Sequence, residues 1–134
     1  MTNAESPRRV LFICTENCNR SQMAEAFARI HGAGRVEAYS AGSRPSGRVH
    51  PKAVEAMKEL GYDLTQHRSK GLAEVSDIVF EVAVTLGCGD DCSCIKARAW
   101  EDWKTPCPKA MPPEQFRAVR DEIGEEVRTL LAGL

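Results

Sequence analysis

The chain lacks several features that define whole classes of proteins. None of its 134 residues falls in an apolar stretch approaching the ~20 residues that a membrane-spanning helix needs. Its basic residues are dispersed and its net charge is -1, which gives a nucleic acid or a membrane surface little to bind. Internal repeats, linkers and low-complexity segments are also missing. The composition, with 43% hydrophobic and 28% charged residues, is typical of one globular domain.

The beginning of the chain shows no signal-peptide pattern. Residues 1–7 contain no apolar run, and the first such run starts at Val10. We therefore expect a short flexible lead over residues 1–8, a single domain over residues 9–134, and a cytoplasmic location. In that compartment the six cysteines should serve catalysis, redox chemistry or metal binding rather than structural disulfides.

Apolar runs alternate with helical patterns along the chain. The predicted strands cover residues 9–13, 36–40, 77–86 and, more weakly, 97–103. The predicted helices cover residues 21–31, 51–60 and 114–131, with a single helical turn at 71–75. This alternation predicts a parallel sheet that is covered on both faces, and ligands of such sheets bind at the carboxyl ends of the strands.

The most informative segment follows the first strand. Cys14 ends an apolar run, and Arg20 and Ser21 follow six and seven residues later, just before a strong helix former. Such a loop turns its backbone N–H groups inward at the positive end of a helix dipole, which forms a cradle for a tetrahedral oxyanion. The same field should hold Cys14 largely as thiolate, and the Arg20 guanidinium can bind two oxyanion oxygens. A lone buried cysteine is the plainer interpretation, but it explains none of the polar residues that follow.

Longer stretches carry a family resemblance. The segments at 14–27, 39–43, 50–64, 67–70, 84–92 and 116–123 read CTENCNRSQMAEAF, YSAGS, HPKAVEAMKELGYDL, HRSK, VTLGCGDDC and FRAVRDEI. Together they resemble the low-molecular-weight phosphotyrosine phosphatase superfamily and, within it, the thioredoxin-coupled arsenate reductases. The resemblance covers residues 9–132. It implies a single-domain, three-layer α/β/α fold with a four-stranded parallel sheet.

The resemblance also implies roles for individual residues. Cys14 is similar to the nucleophile, and Cys88 and Cys92 are similar to the resolving cysteines of a disulfide relay. The implied oxyanion-binding loop consists of Thr15, Glu16, Asn17, Cys18, Asn19, Arg20 and Ser21, in which Asn17 holds the loop, Arg20 clamps the oxyanion and Ser21 donates to the thiolate. The implied reaction is the reduction of arsenate to arsenite by a monomer without metal or bound cofactor. An external dithiol, expected to be thioredoxin-like, would restore the enzyme.

Three positions depart from the family pattern. Cys107 stands where the family has the aspartate that acts as general acid, and a thiol suits that task less well. Asp102 and Asp90 are alternative acids. Lys70 stands where some members have a carboxylate that helps to bind potassium, so its ammonium could take the place of the cation. Cys18 is a second loop cysteine where close relatives have small residues.

Other functions compete with arsenate reduction. Four cysteines after the third predicted strand offer enough thiolates for a structural zinc site, although their C-x3-C-x-C spacing is not that of a common zinc knuckle: Cys88, Cys92, Cys94 and Cys107. A phosphotyrosine phosphatase would need only Cys14 and Arg20. A phospho-binding module could use the same loop without catalysis.

Some assignments stay open at this stage. Cys18 is either a buried loop residue or a disulfide partner of Cys14, and Cys94 has no assigned role. His67 is expected either to lie at the surface or to stabilise a loop. Thioredoxin, glutaredoxin and a low-molecular-weight thiol all fit as the reductant.

Overall fold

A computed structural model describes residues 7–87 and 92–134 of the chain. The strands are β1 (Arg8–Ile13), β2 (Val36–Ala41), β3 (Val79–Leu86) and β4 (Lys96–Trp103). The helices are α1 (Arg20–His31), α2 (Pro51–Lys58) and α3 (Pro113–Ala132), with short 3₁₀ helices at Leu64–Gln66 and Leu72–Val75. Each predicted strand and α-helix is confirmed, and its ends differ from the prediction by at most two residues.

The four strands form one parallel sheet in the order β2-β1-β3-β4. Strand β1 lies between two neighbours, and its last residue, Ile13, pairs with Ala41 of β2 and with Thr85 of β3. The chain therefore leaves β1 toward one side and later crosses to the other. In such sheets a crevice opens at the carboxyl end of the strand where the direction changes. Cys14 is the residue that follows that end.

The predicted three-layer arrangement is confirmed, but its two outer layers differ in thickness. The three α-helices share one core with a face of the sheet, which includes Phe12, Met57 and Ile123, all fully buried. On the opposite face Ile13 lies in a smaller cluster covered by the 3₁₀ helix Leu72–Val75. Since burial of apolar surface is the main stabilising term, the helical side dominates the stability of the fold.

Helix α3, the longest of the three, is amphipathic rather than apolar throughout. Its buried positions, among them Phe116, Val119 and Val127, recur at helical spacing and pack against the rest of the core. None of the helices in the described ranges is both long enough and apolar enough to cross a membrane.

Candidate active site

The loop of residues 14–19 between β1 and α1 is held in place by hydrogen bonds from residues 44–50. The carbonyls of Thr15, Glu16 and Cys18 accept hydrogen bonds of 2.8, 3.0 and 2.9 Å from backbone N–H groups in residues 44–50. A planar trans peptide points its C=O and its N–H in opposite directions. The N–H groups that follow these carbonyls are therefore turned away from the neighbouring loop and toward the interior of residues 14–19. The loop offers several aligned donors at the N-terminus of α1, an arrangement that binds anions.

Glycine is required where β2 ends against this loop. A Cβ atom at Gly42 would lie 2.5 Å from the carbonyl oxygen of Thr15 and 2.6 Å from that of Cys14. Both are backbone atoms that a rotamer change cannot move. The two backbones are thus in direct contact, and this contact fixes the position of Cys14 relative to β2.

The thiol of Cys14 is buried and hydrogen-bonded. Only 3% of Cys14 is exposed, and its Sγ lies 2.9 Å from Ser21 Oγ. The same Oγ accepts a 2.7 Å hydrogen bond from Asn17 Nδ2. Because that bond occupies an acceptor position of the hydroxyl, the Ser21 hydrogen is available to donate to sulfur.

A chain of buried hydrogen bonds supports Asn17 from behind. Gln22 Nε2 donates to the backbone and side-chain oxygens of Asn17 at 3.1 and 3.0 Å, and to Arg68 O at 2.9 Å. His67 Nδ1 lies 3.0 Å from Gln22 Oε1, and its Nε2 lies 2.7 Å from the Tyr62 hydroxyl. An amide oxygen can only accept, so Nδ1 carries the proton and Nε2 accepts from Tyr62. Of the two roles considered for His67, the structure supports loop stabilisation, because only 4% of the His67 side chain is exposed.

Neutral His67 makes the fold sensitive to acid. Burial lowers the pKa of His67, and Arg29 and Lys70 add to this effect, which outweighs the opposing Glu25 carboxylate 3.8 Å away. The unfolded chain, with an ordinary histidine pKa near ~6.5, therefore takes up a proton that the folded chain does not. The contribution of neutral His67 to the free energy of unfolding is intact above about pH 6.5. It is lost as the pH falls below that value, by at most about 1.4 kcal/mol per pH unit. In urea titrations His67→Gln should show a smaller loss of stability on acidification than the parent.

The ring itself offers a second measurement. In NMR titrations of the folded parent, the His67 ring should remain neutral below about pH 6.5. A His67→Gln variant with the parent's full acid sensitivity, or a His67 ring that titrates at its ordinary value, would contradict this account.

A buried charge cluster lies beside the network. Glu25 is 3% exposed, and it accepts from Ser40 Oγ at 2.6 Å and from Arg29 Nε at 2.9 Å. The Lys70 ammonium lies 3.9 Å from Glu25 and 3.1 Å from the Arg68 carbonyl, while the Lys70 backbone donates to Asn17 Oδ1 at 2.9 Å. Burial lowers the pKa of Lys70, and Glu25 opposes the change. The chain therefore supplies its own cation, the Lys70 ammonium, close to Asn17 of the loop.

Arg20 connects three segments of the chain at the site. Its Nη1 donates to Leu86 O at 2.6 Å, at the end of β3, and to Thr105 O at 2.9 Å, after β4. Gly87 follows with φ 75°, and a Cβ there would lie 2.8 Å from Thr105 O. The anchored guanidinium lines the cleft above Cys14.

This catalytic cleft encloses about 370 Å³. Its lining consists of Cys14, Thr15, Glu16, Cys18, Asn19, Arg20, Arg44, Cys107 and Lys109. Cys107, at the position of the missing acid, thus forms part of the wall. The amide of Asn19 is 2% exposed, and neither of its polar atoms has a partner within the described residues. Buried polar atoms rarely remain unpaired, so the Asn19 amide is suited to interact with a bound ligand or water.

Cys18 lies in the same cleft but differs from Cys14 in its surroundings. Burial raises the pKa of the Cys18 thiol to about 11, with further contributions from Cys14 and from the Glu16 carboxylate, 3.7 Å from the sulfur. At neutral pH such a thiol is ionised in only about one molecule in 10⁴, and the thiolate is the reactive form. Cys18 is therefore a poor attacking group in this conformation.

Of the cysteines that follow the third strand, Cys107 alone lines the cleft among those that the structure describes. Cys88 and Asp90 lie outside the described residues. Cys92 packs on the cluster that covers the opposite face of the sheet, its carbonyl accepts from Ile95 N at 3.0 Å, and it does not line the cleft. Within residues 7–87 and 92–134, histidine, cysteine and acidic side chains form no group of three or more that could hold a metal ion.

Sequence reasoning assigned no role to several residues that build the site. Gln22, Glu25 and Gly42 fall in segments that carry the resemblance, but the resemblance implies no role for them. Arg44 and Lys109 line the cleft from loops that carry no motif. A polar residue at a position that should be buried, such as Gln22 at the start of a buried helix, is the one signal that could have identified part of this network.

Comparison with known proteins agrees with this geometry. Residues 9–134 match the model of the family described as low molecular weight phosphotyrosine protein phosphatase. The glutaredoxin arsenate reductase of Synechocystis is 36% identical over 128 residues, which cover 93% of this chain and 97% of that protein.

Solved structures show the same relationship. An arsenate reductase in the phosphate-binding state superimposes with a TM-score of 0.84 at 36% identity, covering 94% of this chain and 98% of the other. A thioredoxin-dependent arsenate reductase of Corynebacterium glutamicum gives a TM-score of 0.80 at 30% identity, covering 98% of this chain and 63% of that one.

Proposed function

Because the chain belongs to the low molecular weight phosphotyrosine protein phosphatase family, and its relatives include arsenate reductases, we propose that it reduces arsenate to arsenite. The observation that carries the proposal is the buried Cys14 thiol, hydrogen-bonded to Ser21 below a loop of inward-facing N–H groups. Arsenate is a tetrahedral oxyanion, and this cradle with Arg20 beside it suits its shape and charge. No bound cofactor is needed, since thiols supply both electrons.

In the first step the Cys14 thiolate attacks arsenic and a water molecule leaves. The loop N–H groups and the Arg20 guanidinium stabilise the negative charge on the arsenate oxygens during this attack. The Ser21 hydroxyl holds the thiolate until the arsenic–sulfur bond forms. Asn17 and Gln22 keep Ser21 and the loop in place, so they position the reacting groups without contacting arsenate.

In the second step we assign the attack to Cys88. Its thiolate forms a disulfide with Cys14, the arsenic–sulfur bond breaks, and its electron pair remains on arsenic, which departs as arsenite. Cys92 then attacks Cys88, forms the Cys88–Cys92 disulfide and releases the Cys14 thiolate. A thioredoxin-like dithiol reduces that disulfide. A disulfide requires Cα atoms within ~7 Å, so the relay requires Cys88 to approach Cys14 first and Cys92 to approach Cys88 afterwards.

Phosphatase activity is the second candidate, and the family membership favours it. Its weak point is Cys107, which lines the cleft where the resemblance places an aspartate. We expect weak hydrolysis of aryl phosphates by the parent and a gain of about tenfold or more in Cys107→Asp, since a well-placed general acid contributes ~10²–10⁴-fold. The assay is hydrolysis of p-nitrophenyl phosphate at mildly acidic pH.

A matched control separates a general acid from a change in charge. Cys94 is exposed and does not line the cleft, so Cys94→Asp introduces the same group without access to a leaving group. Equal activities for both aspartate variants and the parent would show that another acid already serves, or that Cys107 is not the aligned position.

The proposed function is tested by a coupled assay. Arsenate is supplied with thioredoxin, thioredoxin reductase and NADPH, and arsenite is quantified together with NADPH consumption. We expect one arsenite per NADPH. Absence of arsenite with thioredoxin, with glutaredoxin and with small thiols would reject the proposal, and vigorous p-nitrophenyl phosphate hydrolysis in the same preparation would favour the phosphatase.

A further inference from the structure

The catalytic cleft continues into a second one, which we call the cationic extension. This neighbouring cleft encloses about 420 Å³ and shares Glu16, Cys18 and Lys109 with the first. Its remaining lining residues are Ser46, Arg48, His50 and Pro51. Each volume lies in the range of a small-molecule site. A ligand in the extension would therefore lie directly beside the Cys14 thiol.

The two clefts carry a strong positive charge. Arg20, Arg44, Arg48 and Lys109 line them with Glu16 as the single carboxylate of the described lining, although the whole chain has a net charge of -1. Lys109 is paired with Glu16 at 3.3 Å. Within the described residues, the side chains of Arg44 and Arg48 form no ion pair. Their charges remain available to a ligand.

His50, which lines the extension, is influenced by the same positive charges. His50 Nδ1 accepts from the Lys52 backbone N–H at 3.1 Å, so its remaining ring nitrogen, Nε2, carries the proton. Burial lowers the pKa of His50, and Lys109, Lys52 and Arg48 lower it further. The extension thus combines the unpaired Arg48 guanidinium, the Lys109 ammonium that Glu16 pairs, and a neutral N–H donor on His50, a set that suits a carboxylate.

The lining also disfavours an aromatic ligand. Among the described residues, neither cleft contains a phenylalanine, tyrosine or tryptophan, and Pro51 is the largest apolar side chain of the extension. An aryl phosphate would therefore place its ring against charged groups. A flexible molecule with several carboxylates would instead find a partner for each charge.

We propose that the cationic extension, together with Arg44 of the adjoining catalytic cleft, binds the carboxylates of a small anionic thiol, whose sulfur then reacts at Cys14. This rests on the proposed function. In competition with Cys88, the thiolate of the small molecule attacks Sγ of the Cys14–arsenic adduct, the arsenic–sulfur bond breaks with its electron pair left on arsenic, and arsenite departs. Cys14 remains as a mixed disulfide with the small thiol. Arg44 and Arg48 bind the donor and take no part in bond making.

The experiment compares glutathione with its diethyl ester, which has the same thiol but lacks the free carboxylates. Cys88→Ser protein is loaded with arsenate, and arsenite release is followed in a single turnover with each thiol. We expect release to be about tenfold faster with glutathione at low salt, with the preference shrinking as ionic strength rises. Arg44→Gln and Arg48→Gln should each reduce the preference by about threefold to tenfold. Arg98→Gln, an exposed arginine on β4, removes the same charge elsewhere and should retain it.

A second arm needs no arsenate. Cys14 is converted to its mixed disulfide with thionitrobenzoate, the site of labelling is verified by peptide mapping, and release of the chromophore is timed with both thiols. A glutathione preference that depends on Arg44 and Arg48 supports the subsite even if arsenate is never reduced. Equal rates for the two thiols, or a preference that Arg98→Gln lowers as much as the cleft variants, overturn the subsite and leave the proposed function untouched.

Discussion

Cys14→Ser should abolish arsenate reduction, with a loss of at least about 10⁴-fold, while the fold remains intact. A serine hydroxyl is not ionised at neutral pH, so it neither attacks arsenic as thiolate does nor forms a disulfide. Removing the nucleophile of an enzyme that works through a covalent intermediate typically costs more than this. The measurement is arsenite formation in the coupled assay, together with circular dichroism and urea unfolding.

The same variant has a matched control in the chain. Cys94→Ser makes the identical atomic change at an exposed position away from the cleft, and it should retain the parent rate. Turnover by Cys14→Ser above a hundredth of the parent rate would show that another residue attacks arsenate. The geometry around Ser21 would then have no catalytic meaning.

Cys88→Ser and Cys92→Ser should both stop multiple turnover, with different products. Without Cys88 the arsenic adduct on Cys14 has no internal attacker, so arsenite release should fail unless a small thiol is added. Without Cys92, one arsenite per enzyme should appear, and the protein should stall as a Cys14–Cys88 disulfide. Counting arsenite in a single turnover and mapping the trapped disulfides by mass spectrometry distinguish the two.

Multiple turnover of Cys92→Ser at the parent rate would contradict a relay that ends in the Cys88–Cys92 disulfide. Cys94 would then be the first candidate for the resolving thiol. Cys18 is the weaker candidate, because its raised pKa of about 11 leaves little thiolate. A third explanation would be direct attack on Cys14 by an external thiol, which the comparison of thiols at the cationic extension would detect.

The order of strands and helices was predictable because each element carries a local signal. The apolar run before Cys14 and the spaced apolar residues of α3 identify their elements without any knowledge of their neighbours. The parallel sheet followed from their alternation. The single helical turn predicted at residues 71–75 is present as the 3₁₀ helix Leu72–Val75, but four residues are too few to show a period that would predict which side chains face the sheet.

Apart from the polar Gln22 at a position that should be buried, the inner network of the site had no local signal. Residues 21–28 of α1 are all buried, so no polar face distinguishes Gln22 from the apolar residues beside it. Its partner His67 lies 45 positions along the chain, and the two carbonyls that hold Arg20 lie 66 and 85 positions away. Only the folded chain brings these groups together. The nucleophile loop could be anticipated because its chemistry is contained within eight consecutive residues.

We expect the ammonium of Lys70 to make the site independent of dissolved cations. A dissolved cation occupies a site in proportion to its concentration, whereas a tethered one has a fixed effective concentration set by the length of its side chain. The Lys70 ammonium lies 3.9 Å from Glu25, and its side chain is covalently part of the chain. Turnover should accordingly be equal in potassium, sodium and tetramethylammonium salts of matched ionic strength, and a specific gain with potassium would show that Lys70 does not fill the role. If turnover is equal in all three salts, the ionic composition of the cell, which changes with osmotic stress, has no influence on the shape of the loop.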